Sequence, residues 1–331
     1  MVAGVNDIVT IGVRVYNAER YIERCARSLF SQTYDTLAYL FVNDGTPDNS
    51  IEVLQRVMEE YPQRKSQVKI INHDYNRGGA AAQNTLFEEC DSGWFYMVDS
   101  DDWIEPDTIE FLVNKQKETN ADIVSSHIIL NENDVNSNYI CPNYLSTHDM
   151  LIDMLSSVHH HELCSRLIRC DLFKNDGIVV PEGHNIGEDW YVMPKLVYYS
   201  QKTALVPNYL YHYFKGNEQS YMALANNDSS RLCEQNILTL FSLMDFFEGK
   251  NESIYVDAIS GFLVKQIDWG LYIGLDDNNI DYYHKILAYK KNLGADYQKR
   301  IWKGKLGKGF INNYLLNHML YNIKKTVASW I

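Results

Sequence analysis

Apolar and polar positions along the first part of the chain switch repeatedly between a period of two and a helical period. Ile8-Val9-Thr10-Ile11-Gly12-Val13-Arg14-Val15 is a β-rich run, after which Tyr21, Ile22, Cys25 and Leu29 recur at helical spacing, with Asn17 placed to cap the helix. Tyr39-Leu40-Phe41-Val42 reads as a second strand ending in Asn43-Asp44-Gly45, followed by a helix through Ile51, Val53, Leu54 and Val57. A third strand, Val68 to Ile71, leads through Asn76-Arg77-Gly78-Gly79 into a helix from Ala80 to about Cys90. Trp94-Phe95-Tyr96-Met97-Val98 is a buried strand, Pro106 opens a further helix, and Asp122-Ile123-Val124 is another strand. This alternation predicts an α/β fold, a Rossmann-like and mostly parallel sheet flanked by helices. From about Ser220 the pattern is helical only, so the expected division is 1–219 and a helical C-terminal region, 220–331.

Candidate chemistry concentrates after the fourth strand. Asp99, Asp101 and Asp102 fall within four residues at its C-terminal end, where open α/β sheets bind ligands. Like charges clustered there are costly unless a cation or donor groups compensate them. A hard divalent ion holding a diphosphate meets that need, because Mg²⁺ or Mn²⁺ typically uses one or two carboxylates plus phosphate oxygens. A solvated acidic turn ahead of a helix is the competing explanation.

Composition narrows the field. The net charge of -13 argues against a nucleic-acid partner, which wants a basic face. The six cysteines show no CxxC pair, which fits buried free thiols in a reducing compartment better than a disulfide framework or a zinc site. Met1 to Asp7 is short and polar, and no apolar run is long enough to span a bilayer, so the expected location is cytoplasmic. The run His159-His160-His161 reads as exposed surface. From Lys299 to Ile331 basic residues and aromatics such as Trp302, Phe310 and Tyr314 interleave without any Asp or Glu. That tail fits either an interfacial segment on an anionic membrane, peripheral at the inner face, or a terminal helix packed on the acidic body.

The strand-end features follow one another in an order that resembles the family 2 glycosyltransferases of the GT-A fold. They are Val15-Tyr16-Asn17-Ala18-Glu19, Asp44, Asn76-Arg77-Gly78-Gly79, Asp99-Ser100-Asp101, Arg166-Leu167-Ile168-Arg169, Gly187-Glu188-Asp189-Trp190 and Tyr211-His212-Tyr213-Phe214. The resemblance implies a hexosyltransferase-type enzyme of polysaccharide biosynthesis, with 1–219 as its nucleotide-sugar-binding and catalytic domain. It would be an inverting, metal-dependent transferase moving a sugar from a nucleotide diphosphate, with UDP expected, to a hydroxyl of a glycan or lipid-linked glycan. On that basis Val15, Tyr16 and Glu19 line the base-and-ribose pocket, and Asp44 accepts from the uracil imide. Arg77 serves the nucleotide or its phosphates, and Asp99 and Ser100 lie on the nucleotide side. Asp101, in the DXD position, ligates Mn²⁺ or Mg²⁺. Inversion in one displacement needs a base opposite the leaving group, and Asp189 matches the family's base. Glu188, Arg166 and His212 are further candidates, His212 as a metal or phosphate contact.

Two departures matter. Arg14 stands where the family usually carries proline, and Ala82-Gln83-Asn84 where it usually carries Ala-Arg-Asn. The second removes an electrostatic contact near the donor and leaves donor identity open. Two other readings stay in view: a non-catalytic nucleotide-sugar or glycan-binding subunit of the same fold, and a phosphotransferase with an aspartate nucleophile.

Overall fold

The computed structural model describes residues 7–132, 135–157, 161–220, 223, 228–291 and 293. They divide into two compact units, one within 1–154 and 158–220, the other within 155–157 and 221–331. The chain begins β1 (Val9–Val15), α1 (Ile22–Phe30), β2 (Leu37–Asn43), α2 (Ser50–Glu60), β3 (Val68–Asn72), α3 (Gly79–Glu88) and β4 (Trp94–Met97). It continues β5 (Trp103–Ile104), α4 (Thr108–Thr119), β6 (Ile123–Glu132), β7 (Val135–Tyr139), α5 (Thr147–Ser156), β8 (Arg166–Arg169), α6 (Glu188–Tyr199) and β9 (Thr203–Phe214).

The strands form one sheet in the order β3-β2-β1-β4-β8-β6-β9-β5, with β7 paired to β6. The first four strands pair in parallel, as β-α-β units require. Beyond β4 the sheet is mixed: β8 runs antiparallel to both β4 and β6, while β6 and β9 are parallel.

The pleat of β1 assigns its two faces. Val9, Ile11, Val13 and Val15 join Ile22 and Leu29 of α1, Leu54 and Val57 of α2, and Ile109 and Leu112 of α4 in one apolar core. Thr10, Gly12 and Arg14 take the opposite face, which α3 covers. There a Cβ on Gly12 would lie 2.5 Å from the Phe95 ring and 3.2 Å from Leu86, so only glycine fits without displacing core groups. Phe87 stacks on Phe173 at 4.3 Å, and both meet Phe95 edge-on. Burial on both faces explains why β1 reads as an almost unbroken apolar run.

Three local expectations are corrected. Asn17 does not cap α1, which starts behind Tyr21; it adopts a left-handed φ of 50° and its N–H donates to Thr46 Oγ1 at 2.9 Å. Cys90 and Cys170 are disulfide-bonded, while Cys25, Cys141, Cys164 and Cys233 are free and buried. Their separation of 80 residues hid the pair, which forms because the end of α3 meets the turn after β8. His161 is buried and stacks on Trp190 at 4.9 Å instead of lying exposed. His159 and His160 lie outside the described residues.

The second unit is helical: α7 (Ser229–Gly249), α8 (Ser253–Asp276) and α9 (Ile280–Lys291). Asp228 caps α7 by accepting from the Arg231 N–H at 2.9 Å. A Cβ on Gly274 of α8 would meet Tyr283 of α9 at 2.9 Å, so the glycine permits the close helix contact. Among the described residues no helix is long and apolar enough to cross a membrane. The basic tail, Lys299 to Ile331, lies outside them.

Candidate active site

The C-terminal ends of β1, β2, β3 and β4 carry most of the candidate residues. Parallel register places Asn43 opposite Asn72, so the next residues, Asp44 and His73, fall side by side. Asp44 is buried, and its carboxylate accepts from the N–H of Arg77 at 2.9 Å and of Gly78 at 2.8 Å. His73 Nδ1 lies 2.7 Å from the same carboxylate, and its Nε2 lies 3.0 Å from Thr85 Oγ1 on α3. Asp44 therefore organises the turn that starts α3. Gly78 holds φ at 93°, which L side chains resist, and Asn185 packs against its Cα while accepting from the Ala80 N–H at 3.1 Å. The Arg77 side chain is ion-paired with Glu182. Val15 O accepts from the Asp44 N–H at 3.0 Å, Glu19 accepts from Asn49 Nδ2 at 3.1 Å, and Tyr16 is exposed beside them. The sequence reading missed His73; its place one residue past a strand, level with Asp44, was the available signal.

The turn after β4 is wired differently. Asp99 pairs with Arg14 Nη2 at 2.8 Å, and Arg14 Nη1 pairs with Glu188 at 2.8 Å and reaches Gln83 Oε1 at 3.4 Å. Burial opposes the Arg14 charge, yet Asp99, Glu188 and Asp189 hold its guanidinium well above its ordinary range. Asp101 accepts from Asn217 Nδ2 at 2.8 Å, and its backbone carbonyl accepts from Arg24 at 2.8 Å. Burial, followed by repulsion from Asp99, pushes the Asp101 carboxyl up. Asp102 is a framework group: it is buried and accepts from the Tyr211 hydroxyl at 2.6 Å and the Phe214 N–H at 2.7 Å. Ser100, between Asp99 and Asp101 in sequence, is half-buried.

Helix α6 brings Glu188 and Asp189 to this turn from far along the sequence. Gly187 precedes it with a left-handed φ of 77°. Asp189 Oδ2 accepts from the Leu163 N–H at 3.0 Å, while its Oδ1 is buried with no hydrogen-bond partner among the described residues. Burial, and then Glu188, push the Asp189 carboxyl up to about 7 against the pull of Arg14. A carboxyl poised there changes state near neutral pH, as a general base should.

Arg14, Asp99, Asp101, Glu188 and Asp189 thus form one cluster, next to the Asp44 and Arg77 loops. Arg166 is buried against Ser125 Oγ at 3.3 Å and Glu162, and lines a cavity with Cys141 and Tyr144. His212 is paired across strands with Trp103, stacks on it at 4.8 Å, and its Nε2 lies 2.7 Å from Glu105. That contact holds the His212 ring toward Glu105. Among the described residues no group of three or more His, Cys, Asp or Glu is arranged to hold a metal ion by itself.

The profile of the family described as "Glycosyl transferase family 2" matches residues 10–177. Glycosyltransferase GlyA of Streptococcus pneumoniae is 30% identical over 230 residues, covering 63% of this chain and 31% of that protein. The teichoic acid poly(glycerol phosphate) polymerase of Staphylococcus epidermidis is 26% identical over 235 residues, covering 70% of this chain and 31% of that protein. The chain thus spans about a third of the length of these relatives. Among solved structures, S. aureus TarS 1-349 in complex with UDP-GlcNAc superposes with a TM-score of 0.68 at 17% identity, covering 87% of this chain and 82% of that one.

Proposed function

Because the chain belongs to glycosyl transferase family 2, we propose that it transfers a sugar from a UDP-sugar to a glycan or lipid-linked glycan hydroxyl with inversion. The observation that carries this reading is Asp189: a buried carboxylate oxygen with no partner among the described residues, at the start of α6, beside the carboxylate turn that follows β4. Asp189 takes the proton of the acceptor hydroxyl. The acceptor oxygen then forms its bond to the anomeric carbon as the bond from that carbon to the diphosphate oxygen breaks on the opposite face, and UDP departs.

The donor choice draws support from the TarS match, whose structure is described with UDP-GlcNAc. Val15, Tyr16, Glu19 and Asp44 take the nucleoside, and Asp99 and Ser100 its ribose side. Asp44 meets uracil while also holding the Arg77–Gly78 turn. Asp101 suits a divalent cation: its carboxylate accepts from the Asn217 amide and forms no ion pair among the described residues, and one carboxylate plus phosphate oxygens is a usual ligand set for Mn²⁺ or Mg²⁺. When bound, such an ion offsets the charge developing on the departing diphosphate. The domain division near residue 220 and contact of the basic tail with an anionic membrane belong to the same proposal; liposome co-sedimentation of the full chain and of a chain ending before Lys299 tests the tail.

The decisive experiment for function is thermal unfolding of the full chain with UDP, CDP or GDP, each with Mn²⁺ or with chelator, followed by hydrolysis and transfer assays with the matching sugars. UDP with Mn²⁺ should raise the midpoint most, since a ligand that binds only the folded state stabilises it. Equal effects of UDP and CDP would remove the uracil role of Asp44. Binding without hydrolysis or transfer would favour the non-catalytic subunit.

A further inference from the structure

We propose that Arg14 is a positioning residue that clamps the base-bearing start of α6 to the turn after β4. The proposal rests on the reading of Asp189 as the base.

Four elements converge on this guanidinium. Arg14 projects from the face of β1 that α3 covers, and its two arms are divided. Nη2 holds Asp99 at 2.8 Å, and Nη1 holds Glu188 at 2.8 Å, 174 residues away in sequence. Nη1 also reaches Gln83 Oε1 on α3 at 3.4 Å. Gln83 is fully buried, and its Nε2 has no partner among the described residues. An amide there accepts from Arg14 but supplies no charge to Asp99 or Glu188. A planar guanidinium bridges two carboxylates with separate N–H groups, a geometry a lysine ammonium cannot reproduce. Asp189 follows Glu188 directly, so holding Glu188 also sets where the base stands relative to the donor-side turn. The same cation opposes the rise of the Asp189 carboxyl. The other charged and titratable groups facing Asp189 are Glu188 beside it, Asp99 after β4 and Cys164 ahead of β8.

The clamp is testable by moving the charge. Arg14→Met removes it, and Arg14→Met with Gln83→Arg restores a guanidinium from the α3 side with little change in buried volume. Arg14→Lys keeps the charge without the two-armed bridge and guards against a methionine variant that fails to fold. Each full-length protein is assayed for kcat, donor KM and thermal midpoint, and its Asp189 is titrated by carboxyl ¹³C resonance with no donor present. For a folded Arg14→Met, kcat should fall about 10–100-fold, as for lost groups that orient a reactive residue. Donor KM should change less than about threefold, because the nucleoside is held elsewhere. The Asp189 titration should move to higher pH, and the added Gln83→Arg should return both kcat and the titration toward the unmutated values. Arg14→Lys should lower kcat with its thermal midpoint kept. Unchanged kcat in both single variants would overturn the clamp, as would a folded double variant with no recovery in kcat or titration. If the unmutated protein transfers no sugar, the functional reading fails and the positioning role falls with it; if it transfers sugar but a folded Arg14→Met keeps its kcat, the clamp alone fails.

Discussion

Two aspartates stand beyond the C-terminal ends of β2 and β4, the strands that flank β1, and the protein treats them in opposite ways. Asp44, past β2, is enclosed by two backbone N–H groups and His73. Asp101, past β4, has the amide of Asn217, lies close to the negative Asp99, and has its carboxyl pushed up. Asp189 is poorer still, with one oxygen buried and without a partner among the described residues. Nothing in residue type separates the three. A carboxylate with its donors in place builds structure; one left short of donors and cations is in a state that a ligand can improve.

The largest effect that would break this contrast lies at Asp189. Asp189→Asn should lower transfer about 10²–10⁴-fold, the usual range for removing a general base, while UDP affinity by calorimetry changes little. Near-normal transfer would move the role to Glu188. Next is Asp101→Asn, which should reduce Mn²⁺-dependent UDP binding at least about tenfold yet leave the thermal midpoint unchanged or higher, because it relieves repulsion from Asp99. Loss of stability there would mean that Asp101 is framework, like Asp102. The pH profile comes third. Asp189 is a base only when deprotonated, so transfer should climb about tenfold per pH unit below about 7 and level off above it. The stability sign is opposite. The folded carboxyl keeps its proton up to about 7 against an ordinary value of 3.8, so stability falls as pH rises through that window, and Asp189→Asn should flatten the slope. The smallest effect is at the enclosed carboxylate. Asp44→Asn should destabilise the protein by about 1–3 kcal/mol, because it weakens the bonds that hold the glycine turn. A denaturant midpoint that does not move would show that Asp44 is not framework.

Periodicity alone was enough for the parallel half of the sheet. Two-residue alternation and apolar runs marked β1, β2, β3 and β4, and helical spacing marked α1, α2 and α3, because short-range geometry writes those periods into the chain. The order of motifs, through the resemblance to the family 2 glycosyltransferases, marked Asp44, Asp101 and Asp189; periodicity did not. It could not show that β8 enters the sheet antiparallel, that Asn17 is a left-handed bend, or that Cys90 meets Cys170. Nor could it rank the carboxylates. Whether Asp44 finds two N–H groups, whether Arg14 reaches Glu188, and whether Asp189 Oδ1 is left alone all depend on groups 33 to 174 residues distant in sequence or on the lack of one. Residue identity and spacing determined which chemistry the chain carries. Burial and partner geometry, which exist only once distant segments pack, decided which carboxylates are enclosed by donors and which are left short of them.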